Sequence, residues 1–285
     1  MSAAPRSLWG DAWRRLRRNR MAILCGGFLV LVILFCVVGP WLVAADATTQ
    51  DHELGAVPPD GAHLFGTDPL GRDMLVRVML GGRLALLVAL IATSVAVVVG
   101  ISWGALAGFT GGRVDFVMMR IVDVLYGFPV VVFVIVVMAV LATKSLFVLF
   151  LLIGAINWMT MARIVRGQIM ALRHREFVEA ARALGVGSGR IVLRHLLPNA
   201  LGPIIVYTTL SMPHVMLTEA FLSFIGLGVQ APEASWGTLV AEGAEKMRVF
   251  PWLLIAPGAV MASTIFALNF LGDGLRDALD PQSRR

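Results

Sequence analysis

Glu176-Phe177-Val178-Glu179-Ala180-Ala181-Arg182-Ala183-Leu184-Gly185, then Val186-Gly187-Ser188-Gly189, then Arg190-Ile191-Val192-Leu193-Arg194-His195-Leu196-Leu197-Pro198-Asn199: this polar, arginine-dotted stretch lies between strongly apolar runs. It reads as two short helices. In the first, Phe177, Ala180, Ala181 and Leu184 recur at i, i+3, i+4 and i+7, an apolar stripe with the charges off it. Gly185 sits where a left-handed cap belongs, because glycine has no Cβ to clash at positive φ. Ser188 is placed to N-cap the second helix, and Pro198 to end or kink it. A helix–turn–helix of this size has too little surface to bury its own stripe. The stripe needs a partner, and the flanking apolar runs put that partner at a membrane face.

Composition supports the membrane reading. The 285 residues are 58% hydrophobic and 15% charged, whereas average domains carry about 25% charged residues. The net charge of +6 is arginine-borne, Lys144 and Lys246 being the only lysines. Those arginines crowd the ends of apolar runs, which fits the positive-inside rule better than a nucleic-acid surface. Neither lysine follows a glycine-rich loop, so this chain does not bind ATP through a P-loop. Cys25 and Cys36 share one apolar run, about 16 Å apart along a helix axis and beyond disulfide reach.

Outward from the hairpin, six spans are expected, at about 21–43, 84–109, 124–141, 146–161, 201–224 and 251–271, each long enough or nearly so to cross a bilayer. Residues 1–20 precede them as an amphipathic helix, with Leu8, Trp9, Ala12, Trp13 and Leu16 opposite Arg14, Arg15, Arg17 and Arg18. That pattern suits a helix lying on the membrane, or a basic flank that sets topology. The first span is too long for the apolar core of a cleavable signal. Residues 44–83 lean acidic and suit the outer side; their histidines, His52 and His63, share no metal spacing and read as solvated. In the second span Gly100, Gly104 and Gly108 make a groove for another helix backbone. Arg120 and Asp123 are spaced for an intrahelical pair, Pro129 for a kink in the third span. Ala142–Ser145 is a short outer turn, Ser223–Phe250 an outer loop with short helices, and Trp252 an interfacial anchor. The arginine-rich loop 162–200 falls on the cytoplasmic side with both termini. Glu219 lies at membrane depth, where a carboxylate costs several kcal/mol unless neutral, paired or facing water. It is a candidate for the translocation path, or else a buried structural carboxylic acid.

Glu179-Ala180-Ala181, three residues, Gly185, nine residues and one further position before x-Leu197-Pro198 together resemble the cytoplasmic signature loop of bacterial ABC-importer permeases. His195, where the general pattern has isoleucine, resembles the oligopeptide/dipeptide/nickel branch. Phe65-Gly66-Thr67-Asp68-Pro69-Leu70-Gly71-Arg72-Asp73 and the tail from Gly272 to Asp277 resemble the C-type permeases of that branch, closest to the oligopeptide systems. The resemblance implies an all-α, six-span type I importer permease in a bacterial inner membrane. It implies a coupling helix, carried by Phe177, Glu179, Ala180, Ala181, Leu184, Gly185, His195, Leu197 and Pro198, that docks in a cleft of a separate ATPase. Phe177, Ala180 and Ala181 would supply the contact surface, Gly185 the turn, and Pro198 the exit into the fifth span. Implied partners are a homologous second permease, one or two ATPase subunits, an extracytoplasmic binding protein and a peptide substrate. Dipeptides, nickel complexes and glutathione are carried by similar permeases. No cofactor is expected on this chain, ATP and magnesium belonging to the ATPases. A secondary transporter would need more ion-coupling carboxylates than Glu219. A membrane enzyme would need a catalytic constellation, and neither His-Glu-x-x-His nor Gly-x-Ser-x-Gly is present.

Overall fold

Helix follows helix along the chain in this computed structural model, which describes residues 8–43, 49–141 and 145–279. Expectations for the N-terminal residues 1–7, for 44–48, for Lys144 and most of the turn at 142–145, and for the tail at 280–285 lie outside them. The elements are α1 (Leu8–Leu16), α2 (Arg20–Val37), α3 (Gly39–Leu42), α4 (Met74–Thr110), α5 (Gly112–Tyr126), α6 (Val130–Val140), α7 (Leu146–Leu172), α8 (Glu176–Ala183), α9 (Ser188–Ile191), a π-helical turn (Val192–Leu196), α10 (Leu197–Phe224), α11 (Trp236–Lys246) and α12 (Trp252–Leu279). Five helical stretches are long and apolar enough to cross a membrane, or six if the α5–α6 pair counts as one span.

Several spans differ in extent from the sequence reading. The second starts at Met74 instead of Leu84. Arg77 and Arg83, which read as loop charges, are helical because Asp68 and Glu242 hold Arg77 and the Val37 carbonyl accepts from Arg83. The fourth continues from Leu146 to Leu172, 27 residues, or about 40 Å, because Arg163 and Arg166 are paired across to α5. The last runs on to Leu279. The third is broken outright: α5 and α6 meet at 87°. Pro129 supplies the break as the extended N-cap of α6, with ψ at 117°, since its ring forbids an upstream helical hydrogen bond.

Packing centres on α4 against α7. A Cβ on Gly100 would meet Trp158 O at 2.8 Å, one on Gly104 Ala162 O at 2.4 Å, and one on Gly108 Arg166 O at 2.8 Å. The glycine groove is thus filled by the α7 backbone of the same chain. Gly154 returns the favour, its Cα facing Ala92 O across the same interface. Around this pair, α2, α10, α11 and α12 share one apolar core that includes Cys36, Val88, Ile153, Met216 and Trp236. α1 packs on α12, leaving Trp13 exposed with Arg17 stacked 5.0 Å from its ring.

Candidate coupling site and translocation path

The hairpin is built from a helix closed by glycine. Gly185 has φ +75°, its N–H donates to Arg182 O at 2.9 Å, and Val186 N–H donates to Ala181 O at 3.0 Å. These are the two bonds of a Schellman cap, which satisfies the last carbonyls of α8. Ser188 does not act as a cap: Gly187, extended at ψ 147°, holds that position, and no side chain bonds there. Nor does Pro198 stop the helix. α9 passes through the π turn into α10, Leu197 N–H reaching back to Val192 O. That widening seats Pro198 in the first turn of α10, where a proline with no N–H is tolerated.

The two faces of the hairpin have opposite fates. Val178, Ala181, Ile191 and Leu196 are buried against Ala105 of α4, Val165 and Ile169 of α7, and Ala200 and Ile204 of α10. Ala181 therefore points into its own subunit and cannot be contact surface for another. Phe177, Leu184 and Leu193 are exposed, at 40%, 83% and 67%, as are Glu179, Ala180, Arg182, Arg190 and Arg194. Three large apolar side chains in a ring of charge are left uncovered by the described chain, the signature of an interaction surface. Leu193 lies on the second helix of the hairpin and has no place in the periodic stripe of the first. His195 is half-buried, its carbonyl accepting from Asn199 Nδ2 at 2.6 Å, and Leu197 packs at the edge of the inner cluster while Pro198 is exposed.

Charges rivet the hairpin end of the molecule. Arg173 Nη1 donates to Gly108 O at 3.0 Å, a cation on the C-terminal carbonyls of α4. Arg166 binds Asp115 with both arms of its guanidinium, at 2.5 and 2.6 Å, the fork geometry that suits carboxylates. Asp123 pairs with Arg163 at 2.8 Å and not with Arg120, which stacks on Phe116 instead. The expected intrahelical pair fails because Asp123 faces α7.

At the end away from the hairpin the Phe65–Asp73 motif is a folded cap. Asp68, 2% exposed, accepts from Leu70 N and Arg72 N, from Arg72 Nε at 2.7 Å and from Arg77 Nη1 at 2.8 Å. Asp73 N-caps α4 through Leu75 N and Val76 N. Its second oxygen meets His63 Nδ1 at 2.9 Å, so His63 is a bonded residue of the cap and not a solvated one. Trp252 Nε1 donates to Thr67 O at 3.0 Å, tying α12 to the same cap. Glu219 is 2% exposed and accepts from Ser223 and Ser235. It faces neither water nor an open path, and the structural reading of it is the one that the geometry supports.

A different face of α10 is uncovered. Pro203, His214, Leu217, Phe221 and Phe224 are exposed, with Tyr207 and Leu210 half-buried between them. Steps of three and four from 203 to 224 make this a continuous stripe along the helix. A cavity of about 670 Å³ opens beside its hairpin end, lined by Gln168, Asn199, Pro203, Tyr207, Leu210 and Arg276 among others. Tyr207 and His214 are the polar side chains on that stripe, whose 3.5-residue spacing is legible in the sequence, and the carboxylate of Glu219 lies off it, five residues beyond His214.

Two family models match the chain. Binding-protein-dependent transport system inner membrane component matches residues 100–285, and the N-terminal TM domain of oligopeptide transport permease C matches residues 7–59. The chain is 46% identical to the oligopeptide transport system permease protein OppC of Haemophilus influenzae, covering 100% of this chain and 92% of that one. It is 47% identical to the OppC of Escherichia coli strain K12, over 98% and 93% of the two chains. The dipeptide transport system permease protein DppC of Bacillus subtilis is 42% identical over 96% and 86%. Among solved structures, an inward-facing form of the MetNI methionine ABC transporter aligns at TM-score 0.52 and 17% identity, covering 71% of this chain and 96% of that one, a likeness of fold. With helices of this arrangement and relatives along its whole length, the chain belongs to the binding-protein-dependent transport system inner membrane component family, as a multi-pass permease subunit.

Proposed function

We propose that this chain forms one half of the translocation path of an ATP-driven importer of oligopeptides. Its partners in that reading are a homologous permease, one or two ATPase subunits and an extracytoplasmic binding protein. The carrying observation is the two-faced hairpin: one face is packed into α4, α7 and α10, while Phe177, Leu184 and Leu193 stand uncovered. An ATPase closing on ATP would hold that face and tilt α10 with it. Turning a 1:99 preference for one state into 99:1 takes about 5.5 kcal/mol of differential binding, and ATP-driven closure is the source. In this reading ATP and magnesium sit on the partner subunits. The arginine-rich hairpin and both termini lie in the cytoplasm of a bacterial inner membrane.

In this reading the uncovered face of α10 borders the path. A histidine at bilayer depth is costly against lipid and favoured beside water or a polar cargo, and His214 sits midway along that face. The oligopeptide substrate follows from the relatives. Dipeptide carriage is the second reading, since a DppC is 42% identical.

The test is uptake of labelled peptides of graded length into proteoliposomes holding the whole complex. Oligopeptides are expected to enter only with ATP inside and with this subunit present. A preference for two-residue peptides would shift the substrate to dipeptides, and uptake driven by an ion gradient without ATP would sink the importer reading. Leu184→Glu is expected to release the ATPase from the complex while the chain remains in the membrane. A crosslinker at Ala180 should capture the ATPase, which one at the buried Ala181 should not.

A further inference from the structure

From Ser188 to Phe224 the chain is helical without interruption, 37 residues, a rod about 55 Å long. The second helix of the hairpin and the far end of α10 are therefore two ends of one continuous helix, which runs through the π turn and past Pro203 and Pro213. At the outer end, Glu219 Oε1 accepts from Ser223 Oγ at 2.9 Å and from Ser235 Oγ at 2.6 Å. Ser235 is also the N-cap of α11: its Oγ accepts from Thr238 N at 3.1 Å, and its own N–H donates to Thr238 Oγ1 at 2.8 Å. The next turn comes closer still. A Cβ on Gly237 would meet Glu219 Oε2 at 2.5 Å and Ala220 Cα at 2.7 Å, so only glycine lets α11 rest on α10 here.

The rest of α11 is tied to α4 and the outer cap. Trp236, fully buried, donates from Nε1 to Val78 O at 2.8 Å, and Glu242 meets Arg77 at 3.2 Å. α11 thus bridges the long rod and a fixed frame. With Glu219 removed, the polar bonds left on α11 run to α4, and packing against Ala220 alone would join it to the rod. A packing role alone would need no carboxyl. An apolar side chain would fill the site without the desolvation cost that a buried carboxyl carries, and no basic side chain among the described residues pairs with it.

We propose that Glu219 is a positioning residue that yokes the first turn of α11 to α10, so that the tilt of the hairpin and the movement of the outer segment are one motion. This rests on the importer reading and adds the link by which the outer face and the ATPase sense each other. Coupling requires an element with two arrangements that both sites bias, and α11, held between rod and frame, is that element.

The test uses the complete transporter in nanodiscs, with Cys25 and Cys36 replaced by Ala and spin labels at Glu245→Cys on α11 and Asp60→Cys on the outer cap. In the unmodified background the label distance is expected to change when nucleotide is trapped. Glu219→Gln, which keeps an acceptor oxygen for both serines, should behave the same way. Glu219→Ala and Ser235→Ala should abolish the distance change, and stimulation of ATP hydrolysis by the loaded binding protein should fall at least about fivefold, the lower end of ordinary coupling. Unaltered distance change and stimulation in Ser235→Ala and Glu219→Ala would overturn the proposal. Should Glu219→Ala fail to assemble, Ser235→Ala, which deletes one hydroxyl, decides alone. A background complex that transports with α11 stationary also overturns it, whereas one with no ATP-dependent uptake defeats the importer reading itself.

Discussion

Asp68 and Gly104 show two ways in which one residue governs the structure, by charge and by absence of a side chain. Asp68 compensates Arg77, itself 6% exposed, and organises a turn through two backbone amides. Removing one partner of a buried pair costs about 3–5 kcal/mol because the other charge is left uncompensated. Glu242 still holds Arg77, so Asp68→Ala is expected at the low end, read as a lower melting temperature in detergent. Asp68→Asn, which keeps an acceptor oxygen, should lose less. At Gly104 the obstacle is backbone, Ala162 O at 2.4 Å from the absent Cβ, and backbone cannot swing aside as a side chain can. Overpacking costs about 1–3 kcal/mol even in forgiving cores. Gly104→Val should therefore lower the yield of monodisperse protein sharply in fluorescence-detected gel filtration. Gly187→Ala, at φ −63° with open space around it, should not.

For a single element, the hairpin, the sequence carried both the glycine turn and the need for a partner. Gly185 at φ +75° meets nothing within 4 Å, so its requirement is conformational and not steric. A non-glycine residue there costs about 1–2 kcal/mol, more for a β-branched one. Gly185→Val is expected to loosen the Schellman cap and raise the ATP consumed per peptide imported, whereas Gly185→Asn, which tolerates the left-handed region, should stay near normal. Uptake and hydrolysis measured together in the same vesicles check both. The periodic stripe had its faces partly exchanged. Ala181 went inward, with Val178, because where a helix turns its back depends on what lies behind it, here Val165 and Ile169 of α7. The second helix differs at its start, where Gly187 and not Ser188 is the cap, and at Pro198 it does not end, because a π turn, which has no strong sequence signature, carries the chain past the proline.

Across the whole molecule the chain is a cage of long helices with a fixed outer cap, one continuous rod and an inner hairpin. Its orientation is testable as a single property. Cysteine at exposed Asp60 should react with an impermeant maleimide added outside intact cells, and cysteine at exposed Leu184 only after the cells are opened. The reverse pattern would turn the molecule over and place the hairpin beyond reach of any ATPase. Hydrophobic run length and arginine placement determined on their own that the chain spans a membrane repeatedly, because no other environment tolerates so much apolar surface. Local chemistry determined the glycine cap, and the glycine groove announced a close helix partner. Only the tertiary structure decided which helix fills that groove, which hairpin face stays bare and that Glu219 is clasped by Ser223 and Ser235. The groove and the bare face depend on groups scores of residues away and the clasp on a loop residue 16 positions on, and sequence periodicity reports an element's own faces without saying what each will meet.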